Sequence, residues 1–321
     1  MKLPNRYLKI NWNSNHFNLN IDKDGQPINW GRTYDYIPHG FLDARLFDIG
    51  NGDSTGFYWA IGRENDDPLL CDIYHDNWAL APVASNLEDL IKVNWYDYQH
   101  DFDGQISQIA VALDISLPDL SKDELSTEQR LEFNPKSPYY LVIASQKAID
   151  GNDLKAAETN LQKAIKILPE YALAHYYLAM IYRRIPSRKL DAINSMIQTL
   201  ICPITFGGVS LRRKVLYWLQ SEDELNELQS NPLWVNRHKL TCYIGEKYNN
   251  DFGIYEEAIE EYLNQGQGVN AIQLRTLVRE LMGIETTAFR ERYKYTKEKH
   301  KELLIDNLKT AGLAVRIPSI R

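Results

Sequence analysis

Residues 46–93, LFDIGNGDSTGFYWAIGRENDDPLLCDIYHDNWALAPVASNLEDLIKV, decide the fold of the N-terminal part of this chain. Arg45-Leu46-Phe47-Asp48-Ile49 alternates polar with apolar side chains, the two-residue period of a half-buried strand. Gly50-Asn51-Gly52-Asp53 then supplies residues that tolerate positive φ and side chains that bond nearby backbone, which predicts a turn. Gly56-Phe57-Tyr58-Trp59-Ala60-Ile61-Gly62 reads as the next strand, Glu64-Asn65-Asp66-Asp67-Pro68 as a second turn, and Leu69-Leu70-Cys71-Asp72-Ile73-Tyr74 as the strand after it. The pattern is an antiparallel meander. Leu80-Ala81-Pro82-Val83-Ala84 leads into Ser85, whose hydroxyl can cap a helix while Glu88, three residues on, reaches back to the Ser85 amide. A helix therefore starts near Asn86, with Leu87, Leu90 and Ile91 forming an apolar face suited to lie across the sheet.

The order of these parts resembles the Smi/Knr branch of the SUKH superfamily. The likeness covers roughly residues 36–95 and rests on Gly52-Asp53, Pro68 and the Val83-Ala84-Ser85…Leu87-Glu88-Asp89-Leu90 ending. The start departs from the family pattern: the first forty residues are rich in Asn and Trp, with Tyr34-Asp35-Tyr36-Ile37-Pro38 as the echo of its Leu-Pro-Tyr segment. The resemblance implies a small α+β domain without catalytic chemistry, which in bacteria acts most often as an immunity protein that binds and blocks a toxin, commonly a nuclease. Its fungal relatives are regulatory scaffolds.

The second half reads as helices. Residues 138–169 resemble a tetratricopeptide repeat, with Leu141, Ala144 and Ala148 lining a first helix, Gly151-Asn152-Asp153 as the turn, and Ala157, Leu161 and Ala164 lining a second before Pro169. Ala157 and Ala164 are small enough to let two helix backbones approach closely. A second copy places His175, Leu178, Ala179 and Tyr182 on its first helix and Ala192 and Met196 on its second, ending at Pro203, with a longer turn at Ile185-Pro186-Ser187. Two such units leave apolar surface that further elements must cover. Residues 211–219 read as an amphipathic helix and 222–228 as a short acidic one. Ile244, Gly245, Tyr248, Ala258 and Tyr262 faintly repeat the same spacing, and helices are expected at 269–282 and 297–311. Asn134-Pro135-Lys136-Ser137-Pro138 reads as a stiff linker between the halves. The expected architecture is an α+β N-terminal domain, an antiparallel sheet with a packed helix, over residues 1–133. An all-α helical-repeat half follows, made of repeat-like hairpins over 138–205 and additional helices over 206–321.

At 321 residues, with 44% hydrophobic and 25% charged residues, the chain can bury real cores in more than one unit. The N-terminal residues lack an apolar leader segment and no window approaches the length of a membrane span, so a cytoplasmic protein without membrane contact is expected. Cys71, Cys202 and Cys242 are too far apart in sequence to suggest a disulfide framework or a zinc site. Residues 1–137 hold 11 Lys and Arg against 22 Asp and Glu, while 138–321 hold 25 against 21, so the whole-chain charge of −7 is made in the first part. That field repels nucleic acid and steers basic proteins, or else serves solubility.

Catalytic patterns are sparse. Gly50-Asn51-Gly52-Asp53 lacks the Gly-Lys-Ser/Thr of a phosphate loop, and Asp22-Lys23-Asp24-Gly25 lacks the later ligands of a calcium loop. Asp72, His75 and Asp76 have no second His or Cys cluster nearby and read as a polar hairpin end. The basic run from Arg290 to Lys301, with Glu291 and Glu298 interleaved, reads as a solvated helix face in preference to a nucleic-acid site. Two functions are left. In the first, a non-enzymatic, cofactor-free immunity-type protein meets a basic toxin domain with the acidic turns at Asp53, Asp66, Asp67, Asp72 and Asp76, and with Tyr58 and Trp78 as aromatic anchors. In the second, an intracellular adaptor grips a peptide or protein with its helical hairpins.

Overall fold

Four short strands pair in simple sequence order, β1 (Arg45–Asp48), β2 (Ser54–Tyr58), β3 (Leu69–Tyr74) and β4 (Ala79–Ala84), every neighbour antiparallel. This is the meander expected from the alternation and the turn residues between the runs. A computed structural model provides the coordinates; it describes residues 4–10, 45–48, 54–58, 60–61, 67–74, 79–97, 105–117, 125–240, 250–282 and 296–319. The turn at 50–53, most of the turn at 64–68, the Asp22-Lys23-Asp24-Gly25 segment, His75, Cys242, Ile244, Gly245 and Tyr248, and the first residues of the basic run lie outside the described residues.

The last strand explains how a proline fits the sheet. β4 is at the edge, and its ladder with β3 shifts where Leu70 faces Ala84 but Cys71 faces Pro82, so Val83 is an extra residue. Pro82 needs no ladder amide at an edge, and a bulge beside it re-aims the next carbonyl. The Asn134 side-chain amide donates to that Val83 carbonyl at 2.7 Å.

α1 (Leu87–Asp97) follows and buries Leu87, Leu90 and Ile91 against Phe57, Leu70, Ala81 and Val83 in one core with α2 (Gln105–Leu113). Its first turn is capped one residue later than expected. Asn86, not Ser85, accepts from the Asp89 amide at 2.8 Å and donates its own amide to the Asp89 carboxylate at 2.8 Å. Glu88 is diverted to the N-terminal segment, where it accepts from the Tyr7 hydroxyl at 2.9 Å and pairs with Arg6 at 3.1 Å. Tyr7, in a 3₁₀ turn over Asn5–Lys9, also accepts from the Leu87 amide at 2.9 Å and stacks on Phe57. One tyrosine hydroxyl thus satisfies an orphan donor of the helix start. A reciprocal capping box does occur, at Ser126 and Gln129 of α3 (Thr127–Phe133).

The described residues divide into two compact units that meet at Pro169 and Glu170. The boundary expected at 134–138 is not where the packing parts. Asn134 and Ser137 are fully buried, and α4 (Pro138–Asp150) packs on β4, so the first helical hairpin belongs with the sheet. In that hairpin Gly151 and Asn152 make the turn, Asn152 at a φ of 61°, and Asp153 caps α5 (Leu154–Ile167) by accepting from the Ala156 amide at 3.0 Å. Ala157, Leu161 and Ala164 are fully buried as expected; on α4 the buried residues are Pro138, Leu141, Val142 and Ser145, while Ala144 and Ala148 are half-buried.

The second unit is helical. α6 (Ala172–Arg183) and α7 (Lys189–Ile201) form a hairpin over a 3₁₀ turn at Pro186–Arg188, and α8 (Gly208–Ser221) packs on α7. His175, Leu178, Ala179, Tyr182, Ala192 and Met196 are all buried. Residues 222–225 are not helical, against expectation; a 3₁₀ turn at Asn226–Leu228 is all that forms. The cause is Arg237, fully buried, whose guanidinium donates to the Leu219 carbonyl at 3.1 Å and the Glu222 carbonyl at 3.2 Å and so takes up acceptors that a continuing helix would use. Beyond α9 (Pro232–Val235), α10 (Asn250–Asn264) and α11 (Gly268–Met282) make a further hairpin with Gly266 at a φ of 72°, and α12 (Lys297–Thr310) packs on α11. No helix among the described residues is long and apolar enough to cross a membrane.

Candidate functional site

The acidic surface read from the sequence is described only in part. Asp53, Asp66, Asp76 and Trp78 lie outside the described residues. Asp67 stands at the start of β3 with its side chain 41% exposed, 3.5 Å from the Arg6 guanidinium. Asp72 faces Thr55 across the β2–β3 ladder and accepts a hydrogen bond from its hydroxyl at 3.0 Å. Asp72 is therefore held by a neighbour within the sheet and Asp67 by the N-terminal 3₁₀ turn, contacts that orient the two carboxylates while contributing little stability. Tyr58 is a correction. It is 1% exposed, and Phe57 beside it is also buried, so both faces of β2 are covered and this ring has no surface to offer.

What the sequence did not single out is a buried polar centre in the helical unit. Glu280 of α11 is half-buried at the loop between α7 and α8, where it accepts from the Ile204 amide at 2.6 Å and the Thr205 hydroxyl at 3.4 Å. Burial pushes its carboxyl up to about 8; the two hydrogen bonds and the Arg279 and Arg212 charges pull back only partly. Beside it Arg212 of α8 donates to the Leu200 carbonyl at 2.9 Å and to the Tyr255 hydroxyl of α10. A shallow pocket opens there between Ala172, Thr199, Cys202 and Arg212. Burial, then the Glu170 and Glu280 carboxyls, raise the Cys202 thiol well above its ordinary range, so the sulfur stays protonated and lacks nucleophilic character. On the other side of α11, Arg275 forms a two-point pair with Glu256, one contact at 2.6 Å, and donates to the Asn307 side chain at 2.9 Å. His300 nearby is held neutral by burial and by Arg279 and Arg275. The terminal nitrogens of Arg212 and the Arg275 guanidinium donate to carbonyls and side chains of their own unit and so clamp α7, α8, α10, α11 and α12 together, while the buried Arg212 Nε is left without a partner among the described residues. Only the spacing of Glu280 from Ile204, 76 residues, separates it from something visible in sequence.

A second feature lies on the outside of α8. Ser210, Arg213, Lys214, Tyr217 and Ser221 are exposed on a single stripe, Tyr217 at 78%. The helical period of 3.6 residues puts all five within about 100° of one another.

The sheet, α1 and the start of α2 fall inside one of two matched segments. Residues 27–105 match the family described as the YfbP N-terminal domain. Residues 243–311 match the YfbP C-terminal domain, which takes in α10, α11 and α12. An Escherichia coli (strain K12) protein, "Uncharacterized protein YfbP", is 26% identical over 263 residues, 81% of this chain and 84% of that protein. Glu280 and Arg275 thus sit in the second matched segment, whereas the loop that Glu280 holds, and the α8 stripe, lie between the two.

Proposed function

We propose that this chain is a non-catalytic protein-binding protein whose N-terminal unit meets a basic partner through its acidic turns, in the manner of an immunity protein that blocks a toxin domain. The observation that carries the reading is the four-strand meander closing in α1, the arrangement that the likeness to the SUKH superfamily implies. Its carboxylates at Asp67 and Asp72 are oriented by Arg6 of the N-terminal 3₁₀ turn and by Thr55 of β2. A rigid carboxylate surface steers a basic partner and raises its rate of association more than its final affinity. With Tyr58 buried, Trp78 is the aromatic anchor of the proposal.

Co-expression with basic toxin domains encoded beside this gene tests it. The expected result is restored growth and a complex that survives purification. Charge reversal at Asp66 and Asp67 should slow association and flatten its salt dependence, and Trp78→Ala should mainly speed dissociation. Growth inhibition unrelieved by any neighbouring pair, or binding indifferent to both charge reversal and salt, would count against the reading. A second function, that of an adaptor, is supported by the close hairpins α4–α5 and α6–α7, which are similar to tetratricopeptide repeats in their turns and small buried residues. It is favoured if partners recovered with the full chain bind a variant reversed at Asp66 and Asp67 as tightly as the parent.

A further inference from the structure

The pocket at the start of α8 has a buried cation in its wall. Arg212 is 4% exposed and lines the pocket with Ala172, Thr199, Cys202, Gly207 and Leu211. Its terminal nitrogens go to two neutral acceptors, the Leu200 carbonyl at 2.9 Å and the Tyr255 hydroxyl. Its Nε–H has no hydrogen-bond partner, and no carboxylate pairs with the guanidinium, among the described residues. A guanidinium stays charged at any ordinary pH, and burying one without a counter-charge is far costlier than leaving a neutral group unmatched. Glu280 does not supply that counter-charge: its two oxygens are taken by the Ile204 amide and the Thr205 hydroxyl, and burial keeps it protonated up to about 8. Arg279 beside it adds a second cation, while Glu170 acts on the Cys202 side of the pocket and opposes an anion from there.

The second observation is the helix. α8 is fourteen residues long and starts at this pocket, with Gly207 as its N-cap and no side chain capping its first amides. Such an end carries about half a positive charge and presents amides that no intrahelical acceptor uses. Gly207 also keeps the space open, since a Cβ there would run into the Leu211 side chain and stand 3.1 Å from the Ala172 Cβ. The room is that of about one water molecule. Water would satisfy Nε but bring no charge, and phosphate, sulfate or a carboxylate group is too large.

We infer that this pocket binds a single chloride ion, held by the Arg212 Nε–H and the first amides of α8 against the loop from Cys202 to Gly207. A monatomic anion answers both the charge and the size. Chloride thereby ties the end of α7 to the start of α8, and the second unit is more stable in its presence. The site is independent of the acidic turns of the N-terminal unit.

Titration of the full chain with sodium chloride against sodium gluconate, at constant ionic strength, tests the site, because gluconate is too large to enter. In proton–nitrogen correlation spectra the Arg212 Nε–H and the Gly208 and Val209 amides should shift saturably with chloride and stay in place with gluconate. Melting temperature should rise with the logarithm of chloride concentration and not with gluconate. Gly207→Ala puts a methyl group into the space and should weaken chloride binding about tenfold or more; Arg212→Gln, which removes the charge, should abolish it. Arg212 also clamps helices, so loss of folding in its variant leaves the parent titration and Gly207→Ala to decide. Absence of a saturable shift, or equal shifts in chloride and gluconate, shows that water alone meets Nε and overturns the site. Shifts produced by phosphate and not by chloride overturn the ion assigned, and chloride saturation unchanged in Gly207→Ala overturns its place.

Discussion

Glu280 carries a carboxyl whose proton folding holds more tightly. In the unfolded chain it releases its proton near the ordinary 4.5, in the folded chain near 8. Between those values the folded state holds one proton more, so stability falls as pH rises, by at most about 1.4 kcal/mol per unit. This contribution is fully present below 4.5 and gone above about 8. Glu280→Gln keeps an acceptor for the Ile204 amide without an ionisable proton; urea unfolding of this variant between pH 5 and 8 should show a flatter pH dependence than the parent. An unchanged slope would mean that the carboxyl is not the group responsible. A second residue-scale test separates two adjacent caps. Asn86→Ala should destabilise by about 1 kcal/mol, and Ser85→Ala by clearly less, because of these two candidate caps it is Asn86 that accepts from an α1 amide, that of Asp89. Equal losses in chemical unfolding would argue for the cap read from sequence. That reading placed the helix start well and its partner badly, for a physical reason: Ser85 and Asn86 both can cap, and only the arrival of Arg6 and Tyr7 at Glu88, some 80 residues away, removes the Glu needed for a box at Ser85.

At the scale of elements, legibility follows locality. Strands β1 to β4 and the apolar face of α1 were readable because alternation and turn chemistry are written within a few residues. The hairpin α4–α5 was readable from Gly151-Asn152-Asp153 and the alanines at 157 and 164. The acidic stretch 222–228 was not, since its backbone is set by a buried Arg237 that propensity cannot reveal. Ala157 and Ala164 have no exposed surface, so Trp at either position must overpack the α4–α5 contact, at roughly 1 to 3 kcal/mol or more. Because α4 packs on β4, the loss should reach the sheet too. Thermal melts followed at helical and at aromatic signals should shift together; a melt identical to the parent would show that the hairpin yields without strain.

For the molecule as a whole, the division at Pro169 and Glu170 replaces the linker expected at 134–138, and one amide carries much of the difference. Asn134→Ala would leave the Val83 carbonyl buried without its donor, at about 1 to 3 kcal/mol. Native-state hydrogen exchange should then quicken in β4 and α4 alike, whereas exchange confined to one of them would mean that they open separately. The charge asymmetry was legible from composition, but the clamp around Glu280 and the stripe on α8 were not, since both depend on which helix lies beside which. The bulge at Val83 has a consequence for descent as well. A carbonyl turned out of the ladder is a fixture that a side chain from beyond the sheet has to answer, so an N-terminal module traded between genes would have to carry Asn134, and the α4 that packs on β4, with it. The natural seam for recombination is after Pro169.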